Sequence, residues 1–309
     1  MAKTLVVGGA GLIGAAAALH LAEIGHDVTI AGRTPPGSPP LTKLSFAQGS
    51  YLSDDFSDAF LQGFDALVFA AGNDVRQLPP GADEGDYFHH ANSIGVPAFF
   101  ARARAAGIRR AVYVGSYYTA VVPRYRIEAS GYIRSRKAAD DGVRALATPD
   151  FQVVSLEAPF MMGHVEGVRA LSLEYSIRYL LGEFGPEPLW MIPGGGNFMS
   201  IRSFAEAVDG ALERGENGKA YLVGDENWSF AHYHELLLDA LGMPRKLPVR
   251  DENHPAMPDW TLYSGRGTTI AYEPDPASVT RLGYRRHDAE HAVREMVPYY
   301  RERLTAMPA

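Results

Sequence analysis

A doubly wound parallel α/β sheet with a smaller, interleaved C-terminal lobe is the architecture the sequence predicts. Three observations carry it. Over the first half, short β-branched runs alternate with longer stretches of helical spacing; a glycine cluster sits at the first strand-to-helix junction; and the alternation lapses beyond Pro159. Thr4-Leu5-Val6-Val7 reads as the first buried strand. The helix after it runs from Leu12 to Ile24 and stops at Gly25, which suits the left-handed position past a helix, and Asp27-Val28-Thr29-Ile30-Ala31 supplies the second strand. Leu44-Ser45-Phe46 is a weaker third strand, Phe56, Ala59 and Phe60 mark a helix face closed by Gly63, and Ala66-Leu67-Val68-Phe69-Ala70 is a strong fourth strand. A helix from Asn92 to Ala106 ends at Gly107, Ala111-Val112-Tyr113-Val114 is the fifth strand, a helix covers Gly131 to Ala147, and Phe151 to Leu156 is the sixth. Residues 1–159 are thus assigned to the sheet domain and 160–309 mostly to the second lobe, with one apolar helix around Leu171 to Leu181. Ser203-Phe204-Ala205-Glu206 reads as a capping box opening a helix to Arg214, and Ala220-Tyr221-Leu222-Val223 as a strand returning to the sheet near 220–224. A terminal helix from Asp288 to Leu304 closes the chain, and the proline-rich Thr34–Pro40 segment is a stiff loop after the second strand.

Composition narrows the chemistry. Thirty-six acidic against 29 basic residues give a formal charge of -7, which disfavours a nucleic-acid or anionic-membrane partner and leaves a small molecule as the expected one. With no cysteine, disulfides, thiolate nucleophiles and Cys-ligated metals are excluded. Residues 5–24 are nearly uncharged, but Gly8, Gly9, Gly11 and Gly14 break the run and no basic region precedes it, so a cytoplasmic location is expected rather than a signal peptide or membrane span.

Gly8-Gly9-Ala10-Gly11-Leu12-Ile13-Gly14 follows a predicted strand and opens a predicted helix. Glycine there permits a tight turn, close approach of a phosphate to the main chain, and close packing of the helix on the sheet. A pyrophosphate at the helix N-terminus is the natural occupant, which makes the sheet Rossmann-type. Where a carboxylate would hold the ribose hydroxyls of NAD, the sequence reads Ala31-Gly32-Arg33; Asp27 lies at the wrong end of its strand to substitute. The guanidinium of Arg33 suits a ribose 2′-phosphate, so NADP is expected, with NAD allowed if Arg33 instead stacks on adenine or stays in solvent.

The spacing Gly8-x-x-Gly11-x-x-Gly14 resembles the extended branch of the short-chain dehydrogenase/reductases, which includes the NAD-dependent epimerase/dehydratases. Ala70-Ala71-Gly72, Asn92-Ser93-Ile94-Gly95, Val112-Tyr113-Val114-Gly115-Ser116 and Ala158-Pro159-Phe160-Met161-Met162-Gly163 are similar to further family landmarks, in the same order. The resemblance implies cofactor contacts at Gly8, Gly11, Leu12, Ile13, Gly14, Arg33, Ala70, Ala71, Gly72, Tyr132, Arg136 and Pro159. It also implies a catalytic tyrosine with a lysine four residues later and a serine at the end of strand five, which here map to Tyr132, Arg136 and Ser116, with Asn92 in support. In such a site tyrosine exchanges the proton of the reacting oxygen, the cation lowers the tyrosine pKa and holds the nicotinamide ribose, and serine holds the oxygen. The match departs at Arg136: Lys137 lies one position on, about 100° around the helix. Either cation can serve, and Tyr117 competes with Ser116 for the serine's place. Asn92 can alternatively act as a helix cap.

These residues imply an NADP(H)-dependent oxidoreductase reducing a carbonyl or oxidising an alcohol on a small, apolar or cyclic substrate. A nucleotide-sugar epimerase or dehydratase is the alternative, as is a non-catalytic NADP(H)-binding sensor because of Arg136. Met161, Met162, Trp190, Met191 and Met199, with Tyr117 and Tyr118, either wall an apolar pocket or fill the core, and Arg169, Arg178 and Arg202 keep the sugar-nucleotide reading open. The family implies a homodimer through the helices near Asn92–Ala106 and Gly131–Ala147. His287 and His291 have chelating spacing, but a solvated terminal helix accounts for them and no metal role is assigned.

Overall fold

The computed structural model describes residues 2–74, 77–185 and 188–306. Strand β1 (Lys3–Val7), helix α1 (Leu12–Glu23) and strand β2 (Asp27–Gly32) make the first unit; β3 (Ser45–Gln48), α2 (Asp58–Leu61) and β4 (Ala66–Phe69) follow. Next come α3 (Glu84–Phe88), a π-helical turn (His89–Gly95), α4 (Val96–Ala105), β5 (Arg110–Ser116), the short α5 (Tyr118–Val121) and α6 (Arg124–Ala129), α7 (Gly131–Arg144) and β6 (Gln152–Ala158). The chain continues through β7 (Phe160–Met162), α8 (Leu171–Leu180), β8 (Gly195–Ser200), α9 (Ile201–Arg214), β9 (Ala220–Leu222), β10 (Glu226–Ser229), α10 (Phe230–Ala240), α11 (Pro276–Leu282) and α12 (Ala289–Ala306).

The main sheet has seven strands in the order β3-β2-β1-β4-β5-β6-β9, all paired parallel. The strand order reverses between β1 and β4, so their C-terminal ends open the crevice where ligands of doubly wound sheets sit. Val6, Ile30, Val68, Val112 and Val154 bury one aliphatic face under α1 and α9, and Leu5, Phe69, Phe100, Tyr113 and Val153 fill the other under α4 and α7. A second sheet, β10-β8-β7, is covered by α8, α10 and α12 over a core rich in aromatic rings: Trp190, Phe198, Trp228, Phe230, Tyr233 and Tyr300.

Several elements differ from the sequence reading. The helix expected from Asn92 begins at Glu84, where Asp83 accepts from the Asp86 N–H at 2.9 Å, and it widens into the π turn before α4. Pro97 lies just past that turn; its missing N–H cannot bond back, and the widened turn absorbs the break. The cap of α9 is Ser200, whose Oγ accepts from the Ser203 N–H at 2.9 Å, one turn earlier than the expected box; Glu206 binds Arg285 instead. Met162 and Met191 sit in the aromatic core and Met199 in the sheet core, so these methionines fill the core, whereas Trp190 belongs to the aromatic core and also lines a pocket with Tyr179, Leu189 and Arg250, away from Tyr132. No helix among the described residues is long and apolar enough to cross a membrane.

Candidate active site

The glycine turn is shaped by packing at Gly8, Gly9 and Gly14 and open at Gly11. Gly8 has φ +81°, and a Cβ on it would stand 2.8 Å from the Ala70 carbonyl and the Ala71 nitrogen; a Cβ on Gly14 would collide with the Gly8 carbonyl. The Ala70-Ala71-Gly72 loop after β4 is therefore pressed against the turn after β1, across the crevice between those strands. Gly11 is different: it is exposed, and the nearest protein atom to its would-be Cβ is 3.5 Å away. It precedes α1 without capping it by a side chain, so the first N–H groups of that helix face outward over a surface with no side chain in the way. A backbone cradle of this kind fits a phosphate group, with Leu12 and Ile13 contributing main chain rather than side chain. Arg33 follows directly on β2, exposed, with no side-chain hydrogen bond or ion pair among the described residues; its carbonyl accepts from Gln48.

Around the helix carrying Tyr132, the structure brings together most of the residues singled out from sequence. Ser130 caps α7 by accepting from the Ile133 N–H at 3.2 Å, which starts the helix so that Tyr132 and Arg136 share one face. Arg136 is 5% exposed and its guanidinium lies against Gly72, where any Cβ would displace it. It donates to the Val114 carbonyl at 2.5 Å and lies over the Tyr113 ring at 5.2 Å. Lys137 points away and pairs with Asp141 on the open side of α7. Helix phase thus separates the two cations: Arg136, at four residues' spacing from Tyr132, packs inward on Gly72 and Lys137 does not. Among the described ion pairs none involves Arg136, and Tyr113, Tyr132, Glu157 and Tyr51 are the groups whose fields favour its charge against burial.

Ser116 ends β5, 7% exposed, with its N–H donated to Glu157 at 2.9 Å. Tyr117 turns from the strand into a cluster with Tyr118, Phe160 and Tyr272, buried among rings, and burial pushes its hydroxyl well above the usual tyrosine range. Pro159 is the buried link from β6 to β7. Tyr132 is half-buried, edge-on to Phe88 at 5.6 Å and stacked on Tyr263 at 4.1 Å with the ring planes 16° apart.

Asn92 does not cap a helix. It is fully buried in the π turn, accepts from the Asn73 N–H at 3.1 Å, and donates to the Asn73 carbonyl at 2.9 Å and Ser135 Oγ at 3.1 Å. Ser135 in turn donates to the Tyr132 carbonyl at 2.8 Å, and Asn73 also meets the Tyr51 and Tyr87 hydroxyls. The loop after β4, the π turn and the tyrosine-bearing helix are locked together by this buried chain.

Sequence reasoning missed Tyr263, Glu157 and the Asn73–Tyr51 pair. Glu157 had a signal, an acid near the end of a buried strand; Tyr263 had none, because it reaches the site from a distant loop. The donor set Asp225, Glu226 and His287 has metal-binding proximity, but Asp225 accepts the N–H groups of His287, Asp288 and Ala289 and so starts α12.

Comparison with known proteins agrees with this geometry. The NAD dependent epimerase/dehydratase family matches residues 4–224. No curated protein sequence is significantly similar to the chain. Among solved structures, gox2253 is 20% identical with a TM-score of 0.78, covering 97% of this chain and 98% of its own. The UDP-glucose-4-epimerase of Stenotrophomonas maltophila, solved with NAD and formylated UDP-arabinopyranose, is 16% identical with a TM-score of 0.78, covering 99% and 100%. The UDP-N-acetylglucosamine 4-epimerase of Bacillus cereus is 16% identical with a TM-score of 0.72, covering 97% and 100%. At these identities the likeness is one of fold. With the family pattern running from β1 past β9 and the fold repeated over nearly the whole length, the chain belongs to the NAD dependent epimerase/dehydratase family.

Proposed function

We propose that the chain is an NADP(H)-dependent oxidoreductase of the extended short-chain type, reducing a carbonyl or oxidising an alcohol on a small apolar or cyclic substrate. The observation that carries the substrate class is the fate of the arginines that could hold a sugar-nucleotide diphosphate. Arg169 is paired with Glu174 at 2.8 Å, Arg178 with Glu183 at 3.4 Å, and Arg202 with Asp288 at 3.0 Å and Glu295 at 3.1 Å. Rings surround the tyrosine instead: Tyr117, Tyr118, Tyr263 and Tyr272 occupy one apolar cluster beside it.

The glycine turn, Arg33, the Ala70-Ala71-Gly72 loop and Pro159 would hold the cofactor, whose nicotinamide supplies or accepts the hydride when bound. Tyr132 would pass its hydroxyl proton to the reacting oxygen, Ser116 would hold that oxygen, and the fixed charge of Arg136 would favour the tyrosinate left behind. Asn92 keeps Tyr132 in place through Ser135. Arg33 supports NADP over NAD because the end of β2 carries a free guanidinium and no carboxylate.

A nucleotide-sugar epimerase is the second reading, favoured by the solved epimerases that share the fold. The two separate on cofactor balance. Incubation with NADPH and a panel of cyclic ketones, against UDP-sugars, is expected to consume NADPH with a ketone. Tyr132→Phe is expected to lower kcat/KM by about 10²- to 10⁴-fold. Interconversion of a UDP-sugar without net NADPH consumption would replace the first reading by the second.

A further inference from the structure

Three consecutive residues at the end of β5 are gripped from inside the sheet. Arg136 takes the Val114 carbonyl, and Glu157 Oε2 accepts the Ser116 N–H at 2.9 Å and the Thr119 hydroxyl at 2.8 Å. Between them, a Cβ on Gly115 would stand 2.6 Å from Glu157 Oε1, so glycine is what lets the carboxyl lie flat on the strand. Glu157 is 1% exposed, and Oε1 is buried with no hydrogen-bond partner. A carboxyl that satisfies one oxygen twice and leaves the other bare is poorly accommodated as an anion.

We propose that Glu157 is a positioning residue of this site, holding the Ser116 end of β5 and setting, through its own proton, how much of the Arg136 charge is available to the cofactor. The proposal rests on the reading of the crevice as a dinucleotide site. An arginine at position 136 keeps its proton at all working pH, so any pH response of its hold on an anion comes from a neighbouring group. Glu157 is a buried carboxyl whose field acts on that arginine. Its surroundings are Asp140, Arg136 and Arg144 on α7, Tyr113 on β5, Thr119 on α5 and Tyr272 from the C-terminal part of the chain. Burial, then the field of Asp140, push its pKa up to about 8, against the pull of Thr119, Arg136 and the Ser116 N–H. Below that value the carboxyl is neutral and Arg136 is uncompensated; above it the carboxylate offsets Arg136 and weakens its hold on an anionic cofactor.

The test has two readouts. With glutamate labelled at the side-chain carboxyl carbon, one resonance of the free protein is expected to titrate near pH 8 and to be missing in Glu157→Gln. If that variant does not fold, Thr119→Val serves, since loss of its hydroxyl donor moves the same midpoint upward. NADPH affinity, followed by fluorescence from pH 6.5 to 9.5, is expected to weaken on the order of threefold to tenfold in the wild type and to stay flat in Glu157→Gln. A glutamate set that titrates wholly below pH 6 overturns the proposal, and so does an NADPH pH profile unchanged in Glu157→Gln, which is what a purely structural role gives. Failure of the wild type to bind NADPH at any pH rejects the dinucleotide reading instead, and the carboxyl titration still decides the state of Glu157.

Discussion

The seven-stranded layer and the three-stranded layer are built from different materials. The first buries Val, Ile, Leu and Ala on one face of its parallel strands, mixes them with Phe69, Phe100 and Tyr113 on the other, and encloses the ionisable groups Arg136, Asp140 and Glu157. The second buries stacked rings, with Phe198 against Phe160 at 5.2 Å, Trp228 at 5.2 Å and Tyr233 at 4.9 Å, and keeps His234 and His254 fully enclosed. Aliphatic strands tolerate little but their own period, whereas rings and imidazoles fill an irregular volume with polar atoms that must each be met. One region is therefore regular in its period and encloses charged groups, and the other is irregular, with imidazoles in its centre.

The contrast can be broken most severely at the glycine turn. Gly14→Val places side-chain atoms on the Gly8 carbonyl and is expected to abolish NADPH binding, a loss of more than about 100-fold, together with about 1–3 kcal/mol of stability from overpacking. A titration showing normal affinity would detach the turn from the cofactor. Phe198→Ala, in the aromatic layer, is expected to cost about 3–5 kcal/mol. Because β9 binds the two halves of the chain into one sheet, its urea unfolding should stay a single transition; two transitions would show the layers to be independent.

The smallest effect sharpens the comparison by its sign. Burial lowers His234 and His254 to about 4, so both are neutral when folded and bind protons when unfolded; the stability they carry is lost as pH falls from about 6.5 toward 4. Glu157 is raised, so its contribution is complete below about 4.5 and is lost as pH rises through about 8. The urea midpoint should fall from pH 7 to 5 less in His234→Leu than in the wild type, and fall from pH 7 to 9 less in Glu157→Gln. Equal slopes in variant and parent would remove that group from the account.

Most of the sheet was legible because each strand and the helix after it state their period locally, and the glycine turn was legible for the same reason. Arg136 and Lys137 could not be told apart from sequence: a helix places neighbours about 100° apart, and only its cap at Ser130 and its packing on Gly72 fix which one turns inward. Ser200 was missed as a cap because Ser203 and Glu206 offered a better local match, while the winning arrangement depends on Asp288, which accepts from Ser200 and lies 88 residues away. The layer from β7 to α12 stayed unread for a related reason: Gly195-Gly196-Asn197-Phe198 pairs with Glu226–Ser229 and Tyr263 stacks on Tyr132, contacts that no window of sequence contains.

The parallel pairing of β6 with β9, Ser155 to Ala220 and Glu157 to Leu222, has a consequence for how the chain is made. During synthesis, β6 emerges as an uncovered rim some sixty residues before its neighbour, at about 5–20 residues per second, and for those seconds it presents bare amides to any passing strand. Glu157 lies on that rim, an acid among unpaired backbone groups, until Ala220–Leu222 pairs alongside it. A nascent protein guarded in this way resists sticking to its siblings until the ribosome delivers the segment that seals it.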